Sequence, residues 1–306
     1  MGSETPLQEG VEFALRRLRW MRESGIWPNG LRYLWTDAFG LVLLLSLHRL
    51  SGEETWLEQA ESLVAEVDRV LGRARGYRIG EAPDRDGQYF HYLAMWLFAL
   101  WRLSEERPAY RQRALRLVRE IHPAFVLPGQ GVLWKMREDL SGPYPGYGFG
   151  ALDAFHGAVV YRLLDPVGLA AEIAELEALV QASFPRLVIT QDLGLGMMLW
   201  FTQFQPGRPW AEVQRARSLE VLDRMWIEPP GYFCREPGAR STKFAFTNYG
   251  VAVGLQAVGA WPERVSHLSK FFDSYRSGDR YDEDAITHVM ACSARLPGLL
   301  LANPPG

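Results

Sequence analysis

The chain has 306 residues, of which 48% are hydrophobic, 12% aromatic and 23% charged, and its formal net charge is −3. This length allows a large buried core, while the slightly negative charge excludes the basic surface that nucleic acid binding requires. Apolar runs such as residues 41–47 are too short to cross a bilayer and end in charged residues. We therefore expect neither a nucleic acid nor a membrane as partner.

The first ten residues, MGSETPLQEG, are polar and acidic and do not resemble a secretory signal. Two cysteines, Cys234 and Cys292, are too few for a disulfide framework, which suits a reducing compartment. No segment has the composition of a linker or of a low-complexity tract. We expect a cytoplasmic protein with a single domain over residues 1–306.

An amphipathic helix is predicted over residues 5–22, with no helical partner next to it in the sequence. The following segment, LWTDAFGLVLLLSLHRL, predicts a helix from about Asp37 to Leu50 that is apolar on nearly every side. Such a helix must be surrounded by other helices. After the short turn SGEE, residues 55–71 repeat apolar side chains at helical spacing, which predicts an amphipathic partner.

The same order of apolar helix, short turn and amphipathic helix recurs along the chain. The later predicted pairs are residues 84–103 with 109–121, 153–164 with 169–184, 191–204 with 210–226, and 248–259 with 265–275. A last apolar helix begins near Asp284 and has no partner after it, so we expect it to pair with the N-terminal helix. The sequence thus predicts an all-α (α/α)6 toroid of six helical hairpins.

The links that lead into the apolar helices are mostly long, notably residues 73–87, 122–150 and 227–247. Long loops in folded domains usually carry function. Because these loops all precede apolar helices, we expect the functional face at the N-terminal ends of those helices. The runs GVLWKM and GYFCRE with TKFAF predict small β-hairpins within these loops.

Polar residues stand near the predicted start of each apolar helix. The candidates for catalysis are Asp37, Asp153 and Asp192. The candidates for binding a substrate beside them are Trp35, Asp86, Gln88, Tyr89, His91, Trp134, Lys135, His156, Asn248, Tyr249 and Asp284. Because Asp and Asn are also favoured N-caps, capping is the alternative role for the acidic and amide residues in this set.

Carboxylates gathered beside aromatic rings are the groups that glycoside cleavage requires. One protonated acid serves the leaving oxygen, and one ionised carboxylate acts as base or nucleophile. The positive end of a helix dipole stabilises an ionised carboxylate, which favours the base or nucleophile role for an aspartate at a helix start. The pattern therefore predicts a saccharide as substrate, and it leaves the acid unassigned.

At these motifs the chain resembles the six-hairpin (α/α)6-barrel glycosidases, in particular the unsaturated glucuronyl and rhamnogalacturonyl hydrolases. WTDAFGLVLLLSLHRLSGEETWLEQA is similar to their Trp-x-Asp helix start and Gly-Asp/Glu-x-x-Trp/Tyr-Leu turn, and TQDLGLGMML to their Asp-Leu-Gly-Phe segment. The resemblance implies hydrolysis of a glycosidic bond in a small oligosaccharide, with catalytic aspartates at Asp37 and Asp192. Asp153 is added from its position at a helix start. We expect no cofactor and no metal.

Other functions stay open at this point. The segment YDEDAIT resembles the Asp-x-Asp-Asp-Thr motif of protonating terpene cyclases, with Asp284 as the acid and aromatic rings to stabilise carbocations. A non-catalytic helical toroid that binds a ligand is favoured if the carboxylates all act as caps. N-acylglucosamine epimerase-like proteins share the helical plan but use paired histidines, and His91, His156 and His288 lack that motif context.

Overall fold

The structure is a computed structural model that describes residues 6–228, 231–235, 245–278 and 280–303. Contacts between residues divide the chain into two units. The middle unit consists of residues 31–187, and the N/C unit consists of residues 1–30 together with residues 188–306. Each unit is described separately below.

Twelve α-helices occur in the described residues. In chain order they are α1 (Pro6–Glu23), α2 (Leu34–Ser51), α3 (Glu54–Leu71), α4 (Phe90–Glu106), α5 (Ala109–Phe125), α6 (Asp153–Leu164), α7 (Ala170–Ser183), α8 (Asp192–Thr202), α9 (Pro209–Ile227), α10 (Ala245–Ala257), α11 (Pro262–Ser274) and α12 (Ala285–Arg295). Every predicted helix is present. None of those in the described residues has the length and apolar character needed to cross a bilayer.

The helix α2 is buried continuously from Leu34 to Leu47, as its apolar side chains on all sides predict. It begins at Leu34, so Asp37 lies within its first turn and not at its start. It ends before Gly52, whose φ of 71° is a left-handed conformation that glycine adopts without strain. The glycine stops the helix and lets α3 fold back along it.

In the middle unit, the three buried helices α2, α4 and α6 form a row. The helix α4 packs against both α2 and α6. Each of the three also packs against the amphipathic helix that follows it, α3, α5 or α7. The alternation of apolar and amphipathic segments in the sequence therefore corresponds to buried helices and their covering partners.

The second apolar helix begins later than predicted. The expected helix over residues 84–103 starts only at Phe90. Residues 84–87 stay in a loop, because the carboxylate of Asp86 accepts hydrogen bonds from three backbone amides of that loop. Gln88 and Tyr89 form the strand β1 and pair with another loop. The helical prediction for residues 84–89 was wrong.

Two small antiparallel sheets lie in the long loops of the middle unit. Strand β1 (Gln88–Tyr89) pairs with β4 (Lys135–Met136), and β2 (Val126–Leu127) pairs with β3 (Gly131–Val132). The predicted run GVLWKM thus contributes to two different sheets. Of the other predicted hairpin, residues 231–235 form no strand and residues 236–244 lie outside the described residues.

In the N/C unit, α8 packs against α9 and α10, and α10 packs against α11 and α12. The last helix, α12, packs against α1, as predicted. Two glycines bring backbones together in this unit. A Cβ at Gly10 of α1 would overlap the carbonyl oxygen of Arg295, and one at Gly196 of α8 would overlap that of Gly250 in α10.

Candidate functional site

Aromatic rings gather in the middle unit at the N-terminal ends of α2 and α4. We call this set the aromatic cluster; its members are Tyr33, Trp35, Tyr89, His91, Tyr92, Trp134 and Tyr147. The ring centroids of Tyr92 lie 5.3 Å from Trp35 and 5.2 Å from Tyr89, and Trp134 lies 5.7 Å from Tyr89. Trp134 is 41% exposed, so the cluster presents one broad apolar ring to solvent.

Asp153, the first residue of α6, adjoins this cluster through His91. The Nδ1 atom of His91 lies 3.6 Å from Oδ1 of Asp153 and 3.2 Å from Nε1 of Trp134. The indole N–H of Trp134 donates to Nδ1 of His91, so His91 links Asp153 to the exposed ring of the cluster.

The carboxylate of Asp153 has an unsatisfied oxygen. Its Oδ1 is buried and has no hydrogen-bond partner in the described part of the chain. The residue at the N-cap of α6 is Leu152, so Asp153 does not cap the helix. A Cβ at Gly150 would overlap Oδ2 of Asp153, which shows how closely the preceding loop approaches the carboxylate. Because an unsatisfied buried acceptor costs about 1–3 kcal/mol, its retention calls for an explanation.

His156 lies one turn further along α6 and is 1% exposed. Burial, and secondarily the neighbouring His91, hold the pKa of the His156 imidazole well below its ordinary value. The imidazole is therefore neutral near pH 7. His156, held neutral by burial, and Asp153 thus lie near His91 of the aromatic cluster.

Asp37 forms an ion pair with Arg32 inside the middle unit. Nη1 of Arg32 lies 3.2 Å from Oδ1 of Asp37, and the two side chains are 4% and 0% exposed. A guanidinium at this distance stabilises the negative charge of the carboxylate. The N-cap of α2 is Tyr33, so Asp37 does not occupy the capping position. Asp37 is thus paired with Arg32 and closed to solvent.

Lys135 lies beneath the aromatic cluster and is 1% exposed. Its Nζ donates to the carbonyl oxygen of Arg85 at 2.5 Å and lies 3.2 Å from Oε2 of Glu81. It also lies 4.8 Å from the ring centroid of Tyr89, a cation–π contact. Burial, and secondarily the charge of Glu81, raise the pKa of Tyr89. Glu81, whose side chain is 28% exposed, therefore stands at the edge of the cluster.

Asp86 and Gln88 hold a loop together. Asp86 accepts its three amide hydrogen bonds through Oδ1, and its Oδ2 lies 2.6 Å from Nη1 of Arg78. The side chain of Gln88 accepts from the amide of Tyr77 and donates to two carbonyl oxygens. Their polar atoms are thus committed to the protein itself. Substrate binding by these two residues stays a prediction, and these bonds favour a structural role.

In the N/C unit, Asp192 belongs to a small polar group at the starts of α8 and α10. Its Oδ1 accepts from the amide of Leu193 at 2.8 Å, and its Oδ2 accepts from the hydroxyl of Thr247. The side-chain amide of Asn248 donates to the same hydroxyl at 3.4 Å. Tyr249 faces Phe272 instead, and burial raises the pKa of its hydroxyl.

Asp284 precedes α12 and makes no side-chain cap bond there. The cavity beside this segment is lined by Asp282 and Thr287 and has a volume of about 30 Å³. The role of Asp284 as a protonating acid stays a prediction.

The sequence did not single out five residues that lie in this candidate site: Arg32, Tyr33, Glu81, Tyr92 and Tyr147. Arg32, Tyr33, Glu81 and Tyr147 lie in loops before α2, α4 and α6, and Tyr92 lies in the first turn of α4. The length of these loops was a signal of function. No spacing in the sequence indicated which side chains in them would meet.

The structure is similar to solved structures of sugar-processing enzymes. One is an inactive variant of a family 76 α-1,6-mannanase from Salegentibacter sp. in complex with α-1,6-mannotetrose. Its TM-score is 0.66 at 12% identity, covering 95% of this chain and 99% of that chain. Another is a family 76 α-mannanase from Bacteroides thetaiotaomicron, with a TM-score of 0.65 at 9% identity, covering 94% and 95%.

The chain has the (α/α)6 fold of these enzymes. A cellobiose 2-epimerase from Bacillus thermoamylovorans is also similar, with a TM-score of 0.50 at 12% identity, covering 84% of this chain and 74% of that chain. Comparison of the sequence with family models and with curated proteins finds no match. The predicted all-α (α/α)6 fold, and the resemblance to six-hairpin glycosidase-like proteins, are confirmed at the level of the fold.

Proposed function

We propose that the protein is a carbohydrate-active enzyme that hydrolyses a glycosidic bond in a small oligosaccharide. The observation that carries this proposal is the carboxylate of Asp153. Its buried Oδ1 has no hydrogen-bond partner in the described residues, and it lies beside His91 at the edge of the aromatic cluster. A hydroxyl or glycosidic oxygen of a sugar would satisfy that oxygen, while the exposed ring of Trp134 would contact the sugar face.

Hydrolysis by two carboxylates requires a second acid in reach of the same bond. Asp37 pairs with Arg32 and Glu81 pairs with Lys135, so each carboxylate lies beside a cation. Asp37 has the helix position that the family resemblance implies. Glu81 has the exposure that contact with a substrate needs. Asp192, which was also predicted to be catalytic, lies in the N/C unit and is bonded to Thr247 and Leu193.

The arrangement of aspartates in this sequence differs from that in the mannanase. The inactive mannanase variant carries replacements at two consecutive aspartates. This chain contains no two consecutive aspartates at any position. We therefore propose that this chain's carboxylates come from separate segments, and that α-1,6-mannotetraose is the reference substrate against which other oligosaccharides are compared.

The test is the Asp153→Asn variant, assayed for release of reducing ends from a panel of oligosaccharides. Loss of an acid or base lowers kcat by about 10²–10⁴-fold, and we expect a loss in this range without a change in thermal stability. Asp84→Asn is the matched control, since this exposed aspartate lies in the loop before β1. Full activity in Asp153→Asn would refute the role of Asp153. Asp37→Asn and Glu81→Gln then identify the second carboxylate by which of them abolishes turnover.

Sugar epimerisation is the second candidate, favoured by the neutral His156 and by the electrostatic influence of His91 on it. An epimerase exchanges a carbon-bound proton without cleaving the glycosidic bond. The same reactions, run in deuterium oxide, separate the two activities. New reducing ends indicate hydrolysis, whereas deuterium on the sugar carbon of an uncleaved disaccharide indicates epimerisation.

A further inference from the structure

A cleft lies in the N/C unit, between α1 and the segment that leads into α12. Its volume is about 460 Å³. We call it the arginine cleft, because Arg16, Arg17 and Arg276 line it together with Trp20 and His288. None of these residues takes part in the proposed hydrolysis.

None of the three guanidinium groups lies within salt-bridge distance of a carboxylate in the described part of the chain. In the described residues, none of Arg16, Arg17 and Arg276 forms an ion pair. Arg17 donates to Nδ1 of His288 at 3.1 Å, and Arg276 donates to a backbone carbonyl at 2.6 Å. Both acceptors are neutral, so these two hydrogen bonds do not offset the positive charges of Arg17 and Arg276.

The two carboxylates of the cleft are already committed. Asp273 pairs with Arg295 at 2.7 Å, outside this set of arginines. Both oxygens of Asp282 accept hydrogen bonds from Ser277 and Gly278. With Arg295 included, four guanidinium groups face two carboxylates. The cleft therefore has an excess of positive charge in a chain whose net charge is −3.

The positions of Arg17 and His288 are fixed by their contacts. Nε2 of His288 donates to the carbonyl oxygen of Asp282 at 2.7 Å, which leaves Nδ1 as the acceptor for Arg17. The guanidinium of Arg17 also lies 5.6 Å from the ring centroid of Trp20. Trp20 is 38% exposed, so its ring is available to a ligand beside the charges.

From this arrangement we propose that the arginine cleft binds a small organic anion, whose carboxylate or phosphate group pairs with the arginines while its body contacts Trp20. Guanidinium groups match the geometry of both kinds of anion. The volume of the cleft suits a ligand of monosaccharide size. This inference does not depend on the proposed hydrolysis, since it concerns different residues in the other unit.

The experiment is calorimetric titration of the full chain with D-glucuronate, with D-glucose 6-phosphate and with D-glucose at low ionic strength. We expect binding of at least one of the two anions and none of glucose, and which anion binds identifies the preferred group. Arg16→Gln and Arg276→Gln should each weaken that binding about tenfold, since each removes a charge-assisted contact. Both arginines are exposed, so their replacement leaves the fold intact.

Arg19→Gln is the matched control, because Arg19 lies on the same helix, is exposed and does not line the cleft. It should bind the anion as the unchanged protein does. Three outcomes would overturn the proposal: no binding of either anion, equal binding of glucose, or unchanged anion binding in the Arg16→Gln, Arg276→Gln double variant.

Discussion

The acids of the middle unit show two ways of holding a carboxylate away from water. Asp37 is compensated by Arg32, with both side chains almost fully buried. In the described residues Asp153 pairs with no arginine or lysine; its Oδ1 lies 3.6 Å from Nδ1 of His91 and has no hydrogen bond. The first arrangement stabilises the fold only while both partners are present. The second leaves a carboxylate oxygen that a ligand can satisfy.

The Arg32–Asp37 pair should therefore be sensitive to the loss of either member. Arg32→Met leaves Asp37 as an uncompensated buried charge, and such losses cost about 3–5 kcal/mol of unfolding free energy. Urea unfolding measures the change. Arg49→Met is the control, because the pair between Arg49 and Glu106 is 43% and 31% exposed. Its loss should cost at most about 1 kcal/mol. Equal, small effects of both variants would contradict the burial of the ion pair.

His288 should make stability fall on acidification. Burial, and secondarily Arg17, lower the pKa of His288 to about 4, from 6.5 for an ordinary histidine. Between pH 6.5 and pH 4 the imidazole is protonated in the unfolded chain and neutral in the folded chain. The free energy of unfolding is therefore highest above pH 6.5 and falls as the pH is lowered towards 4. The contribution is about 3 kcal/mol.

The measurement is the unfolding free energy at pH 7 and at pH 5, for the protein and for His288→Gln. Carboxylates titrate in both proteins, so the comparison isolates the histidine. We expect a smaller loss of stability on acidification in the variant. An identical loss in both proteins would show that the imidazole is not held neutral by the fold.

At the scale of elements, the contact between α8 and α10 depends on glycine. A Cβ at Gly196 would overlap the carbonyl oxygen of Gly250, and one at Gly254 would overlap that of Gly196. Gly196→Ala should force the two helices apart, at the cost of about 1–3 kcal/mol that overpacking brings. Gly142→Ala, where a Cβ meets open space, should be neutral, and thermal unfolding of both variants tests the difference.

The helices could be predicted from the sequence because each carries its own signal. The apolar side chains of α2 on every side indicated burial, and the one-sided pattern of α3 indicated a covering partner. The start of α4 was misplaced for a physical reason. Asp86 has the residue type of a helix cap, yet its carboxylate bonds to the amides of its own loop.

The candidate site could be predicted only in part. Residues near the start of a helix, such as Trp35, His91 and Asp153, were found because the start of a helix is visible in the sequence. The partners that determine their chemistry come from loops whose paths no periodicity specifies. The pairing of Arg32 with Asp37, and of Glu81 with Lys135, is visible only once those loops are folded.

At the scale of the whole molecule, the N/C unit is assembled from both ends of the chain. Pro6 and Leu7 line the same groove as Leu296 and Leu301. A short Gly/Ser linker between residues 306 and 1 should therefore be tolerated. Opening such a chain before Val188, which is 71% exposed, would make both units continuous in sequence.

We expect this circular permutant to fold with a cooperative thermal transition and helical content like that of the natural order, measured by circular dichroism. A second permutant, opened at the buried Phe98 within α4, is the control and should not fold. Failure of the first permutant would show that the contacts of α1 with α12 need the natural order of the chain.

Because α1 packs against α12, the N/C unit cannot be completed until the end of the chain has been synthesised. Arg17 and His288, which meet in the folded protein, are separated by 271 positions. At the usual speed of translation, α1 leaves the exit tunnel roughly 15–50 s before its partner exists. Until then its apolar face, with Phe13, Leu18 and Met21, lacks the helix against which it packs. Residues 31–187 emerge in that interval as one continuous block, so we expect this unit to fold before the N/C unit is complete.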